Sequence, residues 1–411
     1  MTVRIDGLEF KGLPLGATYD PAALGDLGWN VSRGDTATPL ATLSRPALAD
    51  NAAAMREWCE RSGVDIAPHA KTTMSSEIVD LQLEAGAWGM TAALPRQVGV
   101  VWGFGVHRVI LANEVSDPAA IAWMGSQLGD ERTVYVYADS IEGVGILHDA
   151  LVDAPRRLPV LIELGYPGGR TGARSVADAI AVAEAVVASD RLELAGVALF
   201  EGALGGAHRT AERLAAVDAF LTDLGDLARS LAGRFESSEP VITAGGSLYF
   251  DRVAAVLGPV AHELDARVVI RSGCYLVHDH GMYEGGTPSA TGVADAPHFR
   301  PALSVWSRVV SAPESGLALL DAGRRDVSYD DDLPIPLERW RDGDVLELRA
   351  AATVGSLSDQ HAFLHHPDLD IRAGDLVRLG VSHPCTTFDR WRLMLVTDDD
   401  YSVLDGLRTD F

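Results

Sequence analysis

Short apolar runs recur along the chain up to about residue 280, each bounded by glycine, proline or charged turn residues. They fall at residues 38–43, at Val64 and Ile66, and at 88–93, 107–112, Thr133–Ala138, Leu158–Glu163, 193–199, 241–243 and Arg267–Ile270. Between them the spacing is helical. Leu48, Ala52, Met55 and Cys59 share one face of a helix that starts near Pro46 and stops at Gly63, which makes Cys59 a core residue. Ser75 is placed to cap the next helix, with Ile78 and Leu81 inward and Gly86 as its end, and Ala- and Leu-rich helices are predicted over 176–188 and 207–231. Strands apolar on both faces and separated by helices imply parallel strands joined by right-handed crossovers. Seven or eight such units favour a closed (β/α)8 TIM-type barrel, with an open doubly wound sheet as the competing arrangement.

Past about Gly281 the pattern changes. Runs at 305–310, Leu317–Leu320, 345–348 and 375–379 are separated by turns with little helical periodicity, as in a small antiparallel β-domain. Asp342-Gly343 and Ala373-Gly374 mark tight turns, and Asp330-Asp331-Asp332 is most simply a solvated loop. Residues before about Arg33 are rich in Gly, Pro and Asp and read as an extended arm or the first strand of a separate sheet.

Composition narrows the function classes. A chain of 411 residues with 47% hydrophobic content is long enough for two domains and a large core. With 34 Lys+Arg against 58 Asp+Glu the formal net charge is −24, which disfavours nucleic acid and anionic membrane surfaces as partners. The start of the chain lacks a basic head followed by an apolar stretch, and no apolar run is long enough to cross a bilayer. Cys59, Cys274 and Cys385 are odd in number and widely scattered, which fits a reducing compartment and a cytoplasmic protein.

Chemistry is concentrated where strands end, the face at which barrels of this kind gather reactive groups. Lys71, in Pro68-His69-Ala70-Lys71-Thr72, follows a strand, and a poorly hydrated lysine there is a candidate attachment point for an aldehyde cofactor. A lone lysine is more often a solvated one, so the case depends on its companions. Arg170 lies in the glycine-heavy turn 165–172, and Glu201 follows the strand ending at Leu199, placed to hold a pyridinium proton. Gly245-Gly246-Ser247 offers successive backbone N–H groups and a hydroxyl to a phosphate, and Arg271-Ser272-Gly273-Cys274-Tyr275 ends the last barrel strand beside it. In Ser382-His383-Pro384-Cys385, His383 and Cys385 alternate along an extended segment, so that both side chains face one way. They are then either borderline-soft ligands for Zn²⁺ or a buried histidine beside a buried cysteine. His278 and His280, which flank Asp279, are candidates for lining the site.

Together these stretches resemble the fold-type III pyridoxal-phosphate enzymes, and within them the D-serine dehydratase and D-threonine aldolase family. Residues 68–72 are similar to its Schiff-base lysine motif, Gly169-Arg170-Thr171-Gly172 to its arginine turn, and Gly245-Gly246-Ser247 with residues 271–275 to its phosphate cup. The pair His383 and Cys385 is similar to the zinc ligands of the dehydratase branch, where the aldolase branch has a carboxylate as second ligand. The resemblance spans residues 38–392. It implies an N-terminal arm over 1–35, an alanine-racemase-like barrel over 36–280 and a C-terminal β-domain over 281–411, in a homodimer. It implies pyridoxal 5'-phosphate held by Lys71, His69, Arg170, Glu201, Gly245, Gly246, Ser247, Ser272, Gly273 and Tyr275, with Zn²⁺ or another divalent metal on His383 and Cys385. The expected reaction is loss of water from a β-hydroxy-D-amino acid such as D-serine, giving a 2-oxo acid and ammonia. The alternatives are an aldol cleavage to glycine and an aldehyde and, third, a racemisation, which needs no metal.

Overall fold

The computed structural model describes residues 4–204 and 208–411. The start of the helix expected at Ala207 and the first three residues of the arm lie outside them. The chain forms two compact units. One comprises Met55–Gly273 and Gly286–Pro297, and the other Met1–Ala54, Cys274–Gly285 and His298–Phe411.

The first unit is the barrel. Among the described residues, eight parallel strands pair in the order Asp65–Ile66, Arg267–Ile270, Val241–Ala244, Leu192–Ala198, Leu158–Glu163, Thr133–Ala138, Arg108–Glu114 and Met90–Ala92. A parallel bridge between His69 and Thr91 joins the two ends of that order, so the sheet closes on itself and the open-sheet alternative falls. The closing seam is tied by the amides of Trp88 and Thr91, which donate to the carbonyls of Ile66 and Pro68, and by the Thr91 hydroxyl on the Ala67 carbonyl at 2.6 Å. The interior is filled by Ala67, Ile110, Tyr137, Leu161, Ala195, Ala198, Val241 and Val269, from all but one of the eight strand positions. Gly196 has no room for a side chain there: a Cβ would lie 1.9 Å from the Val241 carbonyl oxygen.

Two sequence expectations are corrected at this level. The strand Leu40–Ser44 does not belong to the barrel. It pairs antiparallel with Leu303–Glu314 and parallel with Leu393–Thr397, so the first apolar run belongs to the β-unit. Ser75 does occupy the N-cap of Ser76–Glu84, but its hydroxyl donates to the Glu77 carboxylate at 2.8 Å and makes no capping bond.

In the second unit Asp344–Glu347, Ile335–Arg341, Leu376–Gly380, Leu303–Glu314, Leu317–Leu320, Ala362–His365 and Thr353–Leu357 are hydrogen-bonded in that order, each pair antiparallel. Ile5, Phe10, Leu13, Leu24 and Val31 of the N-terminal arm pack with Trp306, Leu376, Leu393 and Leu395 in one core. No helix among the described residues is long and apolar enough to cross a membrane.

Candidate functional site

At the C-terminal ends of the barrel strands, the segment after Asp65–Ile66 turns into a single 3-10 turn, Ala70–Thr72, with His69 at its N-cap. His69 is completely enclosed, and its Nδ1 finds no hydrogen-bond partner among the described residues. Burial, followed by the charges of Lys71, Arg271 and Arg170, drives its pKa well below the usual imidazole value, so the ring is neutral. Lys71 itself is exposed, which corrects the expectation of a poorly hydrated amine.

Arg170 is also exposed, and its guanidinium lies 5.3 Å from the centroid of the Phe200 ring. The turn that carries it is held by a residue the sequence reading passed over. Arg174 donates through Nη1 to the carbonyls of Tyr166 and Thr171 and through Nη2 to those of Gly169 and Arg170. Gly172, at φ +94°, donates its amide to Asp139. Such a fold-back needs glycine, since a Cβ on Gly165 would sit 2.3 Å from the Thr171 carbonyl oxygen.

Glu201, Gly245 and Gly246 are brought together, but as partners of one another. The buried Glu201 carboxylate accepts from the Gly245 amide at 2.9 Å and the Gly246 amide at 2.7 Å. Two successive N–H groups therefore already converge on anionic oxygens, which is the geometry of an anion nest. The expectation that Glu201 stands free to face a pyridine nitrogen does not match this arrangement. Ser247 follows in the same turn, and the buried Ser272 hydroxyl donates to the Gly246 carbonyl at 3.0 Å. A Cβ on Gly273 would lie 2.6 Å from the His69 carbonyl oxygen, so glycine is what allows these two strand ends to meet. Arg271, nearly buried, donates to the Thr243 hydroxyl and to the Leu199 carbonyl, tying three strand ends together.

Sequence reasoning also missed an acidic group within the barrel. Glu114 and Glu163 end the strands Arg108–Glu114 and Leu158–Glu163. Both oxygens of Glu114 and one of Glu163 are buried without a donor among the described residues. Burial, then the charge of Glu163, pushes Glu114 up to about 9, and a protonated Glu114 supplies the hydrogen that bonds it to Glu163. Tyr137, also unpartnered and buried, senses Arg271, Glu163, Glu114 and Arg170 in that order. Listing every residue at a strand's C-terminal end would have found all three.

In the β-unit, His383 is the N-cap of a short helix, Pro384–Phe388, so Cys385 is helical and the alternation argument for the pair does not hold. The His383 Nδ1 lies 2.6 Å from Asp330 Oδ2 and 3.4 Å from Asp331 Oδ2, and the ligand atoms of these three residues all lie within 4.8 Å of one another. Asp330 also accepts from the Thr386 hydroxyl at 2.7 Å. Burial works against its charge, but the bonds from Thr386 and His383 outweigh that and hold it below the usual carboxylate range. The loop expected to be merely solvated thus carries the orienting partner of His383. The Cys385 sulfur lies 3.3 Å from that of Cys274. Tyr275 is buried in this unit, its ring 5.8 Å from that of Phe299. His278, in the left-handed region at φ +49°, and His280 are buried beside Asp279, whose Oδ1 accepts from the amides of Gly281 and Tyr283.

Comparison with known proteins gives these sites a context. A family described as a putative serine dehydratase domain matches residues 302–397. A D-threonine aldolase from Arthrobacter sp. is 27% identical over 379 residues, covering 88% of this chain and 91% of its own length. Among solved structures, a D-threonine aldolase from Filomicrobium marinum superimposes with a TM-score of 0.78 at 23% identity, covering 95% of this chain and 98% of the other. A cysteine-to-alanine variant of a D-threo-3-hydroxyaspartate dehydratase, in its metal-free form, gives 0.72 at 21% identity, with coverages of 91% and 97%.

Proposed function

The chain belongs to the fold-type III pyridoxal-phosphate family of D-serine dehydratase and D-threonine aldolase and is a lyase, and on this premise we propose that it removes water from a β-hydroxy-D-amino acid. The products are a 2-oxo acid and ammonia. The observation that carries the reading is the cationic rim of the barrel mouth: the charges of Lys71, Arg170 and Arg271 converge on a neutral, buried His69 whose Nδ1 is unpartnered.

An anionic aldehyde fits that rim. Three positive side chains call for a counter-anion, an orphaned imidazole nitrogen calls for a polar guest, and the Gly245 and Gly246 amides already grip anionic oxygens. Lys71 would hold pyridoxal phosphate, Arg170 its phenolic oxygen, and Ser247, Ser272 and Gly273 its phosphate, with Gly245 and Gly246 shared with Glu201. A divalent cation fits the other set, where Asp330 accepts from His383 Nδ1 and leaves Nε2 as the ligand atom, and Cys385 offers a thiolate. When bound, the cofactor supplies an electron sink and the cation a Lewis acid for the β-oxygen.

The chain's own residues do the rest. Lys71 Nζ is the base for the proton on the substrate's Cα. His69, kept uncharged by its surroundings, offers one hydrogen bond at Nδ1 without adding a fourth charge. Arg174 keeps Arg170 on station by pinning four carbonyls of its turn.

The second reading, cleavage of Cα–Cβ to glycine and an aldehyde, is favoured by the relative named D-threonine aldolase. D-Threonine separates the two. The expected products are 2-oxobutyrate and ammonia, with none from Lys71→Ala protein; acetaldehyde and glycine transfer the assignment to aldol cleavage, and absence of both sets of products sinks the lyase reading of this substrate class. Treatment with a chelator is expected to abolish turnover and added Zn²⁺ to restore it. Undiminished turnover in metal-free protein removes the cation from the scheme.

A further inference from the structure

The metal reading leaves a second thiol unexplained. Cys274 follows directly on the barrel strand-end sequence Arg271-Ser272-Gly273, yet it belongs to the β-unit with His383 and Cys385. We propose that Cys274 is a third protein ligand of the divalent cation, so that His383, Cys385 and Cys274 form a two-sulfur, one-nitrogen site with one position left open for a substrate oxygen. This rests on the metal reading above and makes it more specific.

Three observations carry it. The two sulfurs are 3.3 Å apart. Two thiolates on one tetrahedral zinc, each about 2.3 Å from the ion, lie roughly 3.7 Å from one another, so a cation enters this pair with a few tenths of an ångström of adjustment. Second, the fully buried Tyr283 phenol is hydrogen-bonded to the Cys274 sulfur, a neutral donor of the kind that steadies a metal-bound thiolate. Third, Asp279 is 0% exposed, its charge acts on Cys274, and its Oδ2 has no hydrogen-bond partner among the described residues. A buried carboxylate oxygen beside two sulfurs and a histidine is a surplus of negative donors that a cation resolves.

The ligand set has a consequence for metal choice. One imidazole and one thiolate leave the site open to several divalent ions, whereas a second thiolate shifts it toward Zn²⁺ and against Mg²⁺ or Mn²⁺, which prefer oxygen. It also limits the substrate to a single coordinating atom in a four-coordinate site.

The test uses the full chain, loaded with Co²⁺ in place of Zn²⁺. Sulfur-to-cobalt charge transfer in the near ultraviolet reports thiolate ligation. In C274S and C274A it is expected to fall to about half, as in C385S, and zinc affinity measured against a chromogenic chelator to weaken by at least about tenfold. Unchanged absorption and affinity in C274S and C274A, with loss in C385S, overturns the third ligand and leaves the metal reading standing. Wild-type protein that takes up neither Co²⁺ nor Zn²⁺ overturns the metal reading itself. If the Cys274 variants do not fold, zinc K-edge absorption of the wild-type protein decides: two sulfurs in the first shell support the proposal and one refutes it. A Cys274–Cys385 disulfide persisting in metal-loaded protein also refutes it.

Discussion

Asp330 shows how much a single side chain can settle. Its carboxylate accepts from His383 Nδ1 at 2.6 Å and is itself held by Thr386. That pairing selects the tautomer of His383 and directs Nε2 outward as the ligand atom, the role of a carboxylate partner behind a metal-bound histidine. Asp330→Asn is therefore expected to weaken zinc binding about 10- to 100-fold, read by chelator competition, with the barrel's cofactor absorbance untouched. Within the triplet Asp330-Asp331-Asp332 nothing distinguished an orienting carboxylate from a solvated one. The partner 53 residues away is set by the sheet, and no local spacing encodes it.

At the scale of elements, the strand ends of the barrel are held together by close backbone approaches. The residue after Ser272 meets the backbone of His69, and only the absence of a Cβ permits it. Gly273→Ala places a methyl carbon 2.6 Å from the His69 carbonyl oxygen. The expected cost is on the order of 1–3 kcal/mol in unfolding free energy, together with loss of cofactor from a displaced His69 and Lys71. Denaturant titration and cofactor stoichiometry measure the two effects, and a fully stable, fully loaded variant contradicts the crowding argument. Most barrel elements could be read from the pattern: the strands Thr133–Ala138, Leu158–Glu163 and Arg267–Ile270 lie where the apolar runs place them. The run at 38–43 is equally apolar and was counted with them. Its destination in the β-unit follows from its ladder with Leu303–Glu314, a pairing over some 260 residues that an apolar run does not announce.

On the scale of the whole molecule, a chain with a net charge of −24 buries acidic groups as well as displaying them. Glu114 is held protonated up to about pH 9 by burial and by Glu163. Its native pKa is thus raised, and the native state keeps a proton that the unfolded chain has released above the usual carboxyl range. Unfolding free energy therefore falls as pH rises from about 4.5 towards 9. In Glu114→Gln that contribution is absent, so the melting temperature is expected to drop less between pH 5 and pH 8.5 than in the wild type; identical slopes would mean that Glu114 is ionised in the native protein. The alternation of apolar runs and helices was sufficient by itself to specify a parallel barrel followed by a separate sheet, because burial of both faces of a strand is written locally in its side chains. So was the short list of chemically distinctive residues, Lys71, Arg170, His383 and Cys385. Tertiary structure alone decided which donors meet: Glu201 with the Gly245 and Gly246 amides, Asp330 with His383, Cys274 with Cys385. Those pairings join residues 44 to 111 positions apart, and their partners are chosen by strand register and loop closure, quantities that belong to the folded chain and to no stretch of it.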